Sequence, residues 1–382
     1  MMQQRRFKAL AMVLALAIVA AGCGDDDDDE ASGSDDNGGD STEEVTGPPA
    51  VTLDEECEAA KADGVEAPEG FRVNLVTDIG RVDDGTFNQF AFEAMESAAE
   101  CFDFETSYIE TVSEADYATN IATTLDAEPD VVITNGFLIA TDTLVAAEAN
   151  PDTDFIGVDQ FQEEFPENYI GVLFREDQGG YMAGVLAATL SESGVIGVVG
   201  GREDVPPVVR FVNAYETGAK SVNPDIRVLS VYNESFTAPD KGASDAAQFI
   251  GEGADVIFGA GGQTGSGGIA AAAEQGLWGI GVDQDEYFTT FNSGDAPGSE
   301  YLASSAVKRV DLAVFRNIVA SMSDEFAGGL YTLEAANDGI TYAPFHDAEL
   351  PDEAIDALEE ARAGLADGSI DTGVDPVTGL PL

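Results

Sequence analysis

The side chains best suited to chemistry in this sequence are carboxylates that stand where apolar, β-type runs stop. Asp78 follows the run Arg72 to Thr77, Asp159 follows Asp154 to Val158, and Asp283 follows Trp278 to Val282. Phe236 and the pair Gly261-Gly262 come shortly after two further runs of this kind. Ligands of open α/β sheets bind beyond the carboxyl ends of the strands, so these residues are expected to share one site. A carboxylate there can accept two hydroxyl hydrogen bonds, each charge-assisted bond contributing roughly 1.5–3 kcal/mol, which suits the 2′ and 3′ oxygens of a ribose. Taken one at a time, each aspartate reads equally well as a helix cap or turn former.

Catalysis has little material to work with. His346 is the single histidine, which removes Ser-His-Asp and Cys-His arrangements and multi-histidine metal sites. No cysteine pair has C-x-x-C spacing, and neither a metal nor a cofactor is expected. The glycine-rich stretch Gly259 to Gly268 suggests a nucleotide loop, but Thr264 stands where G-x-G-x-x-G requires glycine, and no Gly-Lys-Ser/Thr follows. A dinucleotide-binding reading, with Asp283 as its ribose acid, is the coherent rival on fold alone.

The elements that must position these residues alternate in type. After a first strand at Arg72 to Thr77, apolar residues Phe87, Phe90, Ala91, Ala94, Met95 and Ala98 recur at helical spacing. Strands are expected at 105–109, 130–134 and 154–158, separated by helices at 117–125 and 140–149. A second set follows Tyr169 to Phe174: helices at 181–190, 208–222, 243–251 and 268–275, and strands at 195–200, 227–232, 255–258 and 278–282. Two such series predict an α/β protein with two doubly wound, parallel-sheet lobes. The expected division is residues 52–175 with 307–334 for lobe 1, and 176–300 with 340–382 for lobe 2. The chain returns through 301–306 and again near 335–345, giving a three-crossing hinge.

The ends of the chain set the compartment. Arg5, Arg6 and Lys8 precede an uncharged run from Ala9 to Ala21, too short for a permanent span, which reads as a signal peptide over residues 1–22. Ala20-Ala21-Gly22-Cys23 resembles a bacterial lipobox, with Cys23 as the lipidated residue and membrane anchor. Residues 23–51 hold eleven acidic side chains up to Glu44 and no Lys or Arg, so they are expected to form a solvated, disordered tether. An extracytoplasmic location disfavours the dinucleotide reading, because nicotinamide cofactors are not normally supplied there. It also allows Cys57 and Cys101 to pair as a disulfide. The formal charge of −57 becomes −60 without the three basic residues of the leader, which excludes nucleic acid as a partner.

Several segments together resemble a known family. Asp78-Ile79-Gly80-Arg81-Val82-Asp83-Asp84-Gly85-Thr86-Phe87-Asn88 is similar to the opening D-x-G-G-x-x-D-x-S-F-N of the basic membrane protein group, nucleoside-binding lipoproteins that serve ABC importers. Further matching segments are Tyr181-Met182-Ala183-Gly184, Gly200-Gly201, Ser235-Phe236, Asp240-Lys241-Gly242, Ala260-Gly261-Gly262, Gly281 to Asp285 and Ser304 to Lys308. The resemblance implies a type I periplasmic binding fold, no enzymatic activity, an ABC transporter permease as partner and a monomeric chain. It further implies that Phe87 and Phe236 sandwich a purine while Asn88 and Asp159 bind its edge. Asp283, Lys308 and a backbone group at Gly261 or Gly262 would hold the ribose. A sugar-binding protein of the same fold is the alternative, and Phe87 also reads as a core residue of its own helix.

Overall fold

A computed structural model of the chain describes residues 51–382. The leader, the tether and Cys23 lie outside the described residues. Helix α1 (Leu53–Ala62) starts at a capping box in which Thr52 and Glu55 satisfy each other's backbone amides. The first series then runs β1 (Arg72–Ile79), α2 (Phe87–Phe102), β2 (Glu105–Thr111), α3 (Tyr117–Leu125), β3 (Val131–Asn135), α4 (Ala140–Ala149), β4 (Asp154–Val158) and β5 (Tyr169–Phe174). Cys57 of α1 and Cys101 of α2 are joined by a disulfide.

The second series is α5 (Glu176–Leu190), β6 (Val195–Gly200), α6 (Pro206–Val222), β7 (Arg227–Tyr232), α7 (Pro239–Gly251), β8 (Val256–Ala260), α8 (Gly262–Ala273) and β9 (Trp278–Asp283). It continues into β10 (Leu302–Lys308), α9 (Val310–Met322), β11 (Gly329–Leu333), β12 (Ile340–Tyr342) and α10 (Asp352–Ala366). The strands form two six-stranded sheets, ordered β11-β5-β4-β3-β1-β2 and β12-β10-β9-β8-β6-β7. Every neighbouring pair is parallel except β10 and β12, so the second sheet departs from the expected all-parallel form at one edge. Strands β3 and β8 are buried along their whole length, as sheets covered by helices on both faces require.

The chain passes between the sheets at Arg175, at Arg309 and between Leu333 and Ile340. The second passage falls later than the expected 301–306. Leu302 to Lys308 instead form β10, which pairs with β9 and β12, so Val307 and Lys308 belong to the second sheet. Helix α9 accordingly begins at Val310 and packs on α2. At two of the passages an arginine grips the aspartate two residues on. Arg175 meets Asp177 at 2.7 Å through two bonds, and Arg309 meets Asp311 at 2.8 and 2.9 Å.

Candidate functional site: a cavity between two sheets

On the first sheet, the loop after β1 turns into α2 around Asp84. Its Oδ1 accepts from the amides of Thr86 and Gln89 at 2.9 and 3.1 Å, and its Oδ2 accepts from the Asn88 amide and side chain, both at 3.1 Å. The exposed first-turn amides of a helix are natural partners for such a carboxylate. Asn88 in turn uses its Oδ1 to accept from the Asp78 amide at 3.1 Å and from Asn135 Nδ2 at 3.0 Å. Asp78 Oδ1 accepts from the Ile79 amide at 2.6 Å and from the Tyr117 hydroxyl. Burial pushes the Asp78 carboxyl up to about 6, against the pull of the Tyr117 bond. The chain leaves β3 at Gly136 with φ 108°, and a Cβ there would lie 2.0 Å from Asp78 Oδ2, so glycine is needed on both counts.

Asp159 follows β4 directly, with φ 61°, and is 6% exposed. Its Oδ2 accepts from Lys308 Nζ at 2.6 Å, while Oδ1 is buried without a partner. Lys308 also reaches Glu176 Oε1 at 2.9 Å and lies over the rings of Phe87 and Phe174 at 4.9 and 4.8 Å. Burial works against the lysine's charge, but the carboxylates of Asp159, Glu176 and Asp283 outweigh it and hold its pKa above the ordinary lysine range. Glu176 is shared with Arg210 on α6 at 2.6 Å.

On the second sheet, Phe236 lies against Gly201 so closely that a Cβ at Gly201 would come within 2.2 Å of its ring. Gly261 and Gly262 lead from β8 into α8 beside it. Asp283 ends β9 with φ 68°, is 8% exposed, and its carboxylate receives no hydrogen bond from the described residues. Burial raises its pKa to about 7; Lys308 opposes that shift, and the Asp159 charge adds to it. Glu286 accepts from the Val282 amide at 2.9 Å and from the Thr290 hydroxyl at 2.5 Å, bracing the loop that follows Asp283.

All nine residues singled out in the sequence, Asp78, Phe87, Asn88, Asp159, Phe236, Gly261, Gly262, Asp283 and Lys308, line one cavity between the sheets. The two halves touch at its rim: Gln284 Nε2 donates to Thr86 O at 3.0 Å, Thr289 Oγ1 donates to Gly85 O at 2.7 Å, and Arg202 pairs with Glu114. An apolar wall of Val205, Pro207, Val208 and Phe211 was not foreseen from the sequence, nor were Tyr117 and Glu176. The acidic pair Glu176-Asp177 just after a strand was the available signal for the helix start, five residues before the expected Tyr181. Among the described residues, no group of three or more His, Cys, Asp or Glu is placed to hold a metal.

The family model described as "ABC transporter substrate-binding protein PnrA-like" matches residues 71–358. A Lactococcus lactis protein named "ABC transporter nucleoside-binding protein BmpA" is 32% identical over 313 residues, covering 78% of this chain and 87% of the relative. A Listeria monocytogenes protein named "CD4+ T-cell-stimulating antigen" is 29% identical over 321 residues, covering 80% and 88%. Among solved structures, an ABC transporter solute-binding protein from Aeropyrum pernix superposes with TM-score 0.71 at 22% identity, covering 79% of this chain and 92% of that one. One from Conexibacter woesei gives 0.64 at 21% identity, covering 79% and 98%. These two likenesses concern the fold, that of periplasmic binding proteins.

Proposed function

Since the chain belongs to the PnrA-like family of ABC transporter substrate-binding proteins, we propose that it captures a nucleoside between its lobes and delivers it to an ABC importer while anchored to the outer face of the cell membrane through Cys23. The base would lie between Phe87 and Phe236, with Asn88 and Asp159 at its edge. Stacking on aromatic side chains contributes roughly 1–3 kcal/mol per base. The ribose hydroxyls would donate to Asp283, with Lys308 and the backbone at Gly261 or Gly262 completing that end.

The observation that carries this reading is Asp283, a buried carboxylate with no donor among the described residues, inside a cavity flanked by aromatic rings from both halves. An unmet buried acceptor is costly, and a ligand hydroxyl removes that cost. Four carboxylates and one lysine line the cavity, and the lysine is already shared, so a phosphorylated ligand would meet net repulsion. Calorimetric titration with nucleosides, free bases, nucleoside monophosphates, ribose and galactose tests the reading. Nucleoside binding without monophosphate binding is expected. Uptake of ribose or galactose alone would replace the reading with a sugar-binding one. For anchoring, Cys23→Ser is expected to move the protein out of the detergent phase on phase partitioning; retention there would refute lipidation at Cys23.

A further inference from the structure

The hydrogen-bonding capacity of the cavity is unevenly used. Asp78 has Oδ1 occupied by the Ile79 amide and the Tyr117 hydroxyl, while Oδ2 receives no donor from the described residues. Asp159 is divided in the same way: Lys308 occupies Oδ2, and Oδ1 is buried and bare. Each therefore offers the cavity one acceptor, Asp78 from the end of β1 and Asp159 from just after β4, with β3 between the two strands. Donors are scarcer on this side. Asn88 has both acceptor positions of its carbonyl oxygen filled and one amide hydrogen given to Asp84, which leaves a single N–H.

Base edges differ in what they bring to such a surface. Guanine presents a carbonyl at position 6 followed by two adjacent donors, N1–H and the 2-amino group. Hypoxanthine keeps the carbonyl and N1–H but lacks the amine. Adenine places a lone pair at N1, which would face bare carboxylate oxygens. Resting on the nucleoside reading above, we infer that the site selects 6-oxopurine nucleosides, guanosine foremost, whose adjacent N–H donors meet Asp78 Oδ2 and Asp159 Oδ1. The remaining Asn88 N–H suits the 6-carbonyl. A site built to receive such donors rejects an analogue that lacks them, because its own polar groups are then left unpaired.

The pinned oxygens make the test specific. In Asp78→Asn, the Ile79 N–H and Tyr117 O–H hold the amide oxygen at the Oδ1 position, so the NH₂ group falls where Oδ2 was. In Asp159→Asn, Lys308 holds the oxygen and the NH₂ group replaces Oδ1. Each variant converts an acceptor to a donor at nearly constant volume. Titration calorimetry at pH 8 with guanosine, inosine and adenosine is the experiment. The wild type is expected to bind guanosine at least tenfold tighter than adenosine, with inosine between. Each variant is expected to shrink that ratio at least tenfold. Adenosine binding as tightly as guanosine to the wild type would overturn the inference, and so would an unchanged ratio in both folded variants. The wild-type ranking decides even where a variant fails to fold. Binding of no nucleoside at all would instead refute the functional reading, and this inference with it.

Discussion

On the first-sheet side of the cavity, Asp84 receives four hydrogen bonds and Asn88 ties together Asp78, Asp84 and Asn135, whereas on the second-sheet side the Asp283 carboxylate receives none from the described residues. The first side is also stapled beneath by the disulfide between α1 and α2. The second side holds a buried acid whose charge is offset through the field of Lys308 and not by a hydrogen bond from the described residues. The difference separates two jobs that one pocket must do. A braced wall orients what arrives, and an unsatisfied wall gains most from its arrival.

The comparison makes removal of the staple the largest expected stability effect. The bridge spans 44 residues of sequence, and opening such a loop costs about 4 kcal/mol in the chain-entropy model. Paired Cys57→Ala and Cys101→Ala substitutions should lower the thermal midpoint accordingly, with nucleoside affinity at 25 °C within about twofold of wild type. An unchanged midpoint would mean that this half is braced by its hydrogen bonds alone.

Next come two substitutions that should behave oppositely. Asp283→Ala is expected to weaken nucleoside binding about 10- to 100-fold, from loss of bonds worth roughly 1.5–3 kcal/mol, without lowering the melting temperature of the empty protein. Asn88→Ala strips acceptors from the Asp78 amide and Asn135 and should cost about 1–3 kcal/mol of stability per group left unmet. Equal melting losses in both variants, measured by calorimetry, would erase the distinction between the halves.

A smaller effect follows from pH. The empty folded chain holds the Asp283 proton up to about pH 7, against an ordinary value of 3.8. The unfolded chain releases it near that lower value, so this group's stabilising contribution is full below about 3.8 and is lost as pH rises towards 7. Asp283→Asn should flatten that slope in melting curves. Nucleoside affinity runs the other way. The carboxylate must be ionised to accept two hydroxyls, so affinity should fall below pH 7 by up to about tenfold per unit, and the variant should lose this dependence.

The smallest effect is expected at Tyr117, which braces the first side from behind Asp78. Tyr117→Phe should cost about 1 kcal/mol and raise the Asp78 pKa further above about 6, because the Tyr117 bond is the largest of the influences that lower it. A titration of the Asp78 carboxyl carbon by NMR would register the change, and an unmoved value would remove Tyr117 from the bracing network.

Much of this architecture was legible from hydrophobic periodicity. The strands at 154–158, 195–200 and 227–232 and the helices at 117–125 and 140–149 begin and end where the pattern places them. The misses have physical reasons. Helix α8 starts at Gly262, inside a stretch that looks like loop, because glycines there let the helix lie against β8: a Cβ at Gly265 would come within 2.7 Å of Gly259. Strand β10, with Ser304, Ser305 and Lys308 buried, carries too many polar residues to read as a strand wholly inside the protein. The short edge strands β11 and β12 and the helix α10 lie outside the segments that the pattern marks. Within the site, strand-end residues were visible because topology sends them all to one crevice. Tyr117, Glu176 and Arg210 act by touching another side chain, and no local spacing encodes such a contact.

Lys308 is the last residue of β10, one step before the passage at Arg309, and Glu176 is the first residue after the passage at Arg175. Their ion pair therefore sits almost on the axis about which the halves would turn. For a rigid rotation, displacement grows with distance from the axis, so this pair barely moves while Thr289 and Gly85 or Arg202 and Glu114, at the rim, separate widely. Work against opening is then concentrated in contacts with the longest lever arms, where water and salt reach them. The lysine acts as a bearing: it carries the load of the buried charges through the swing and leaves the latch to be set at the lip.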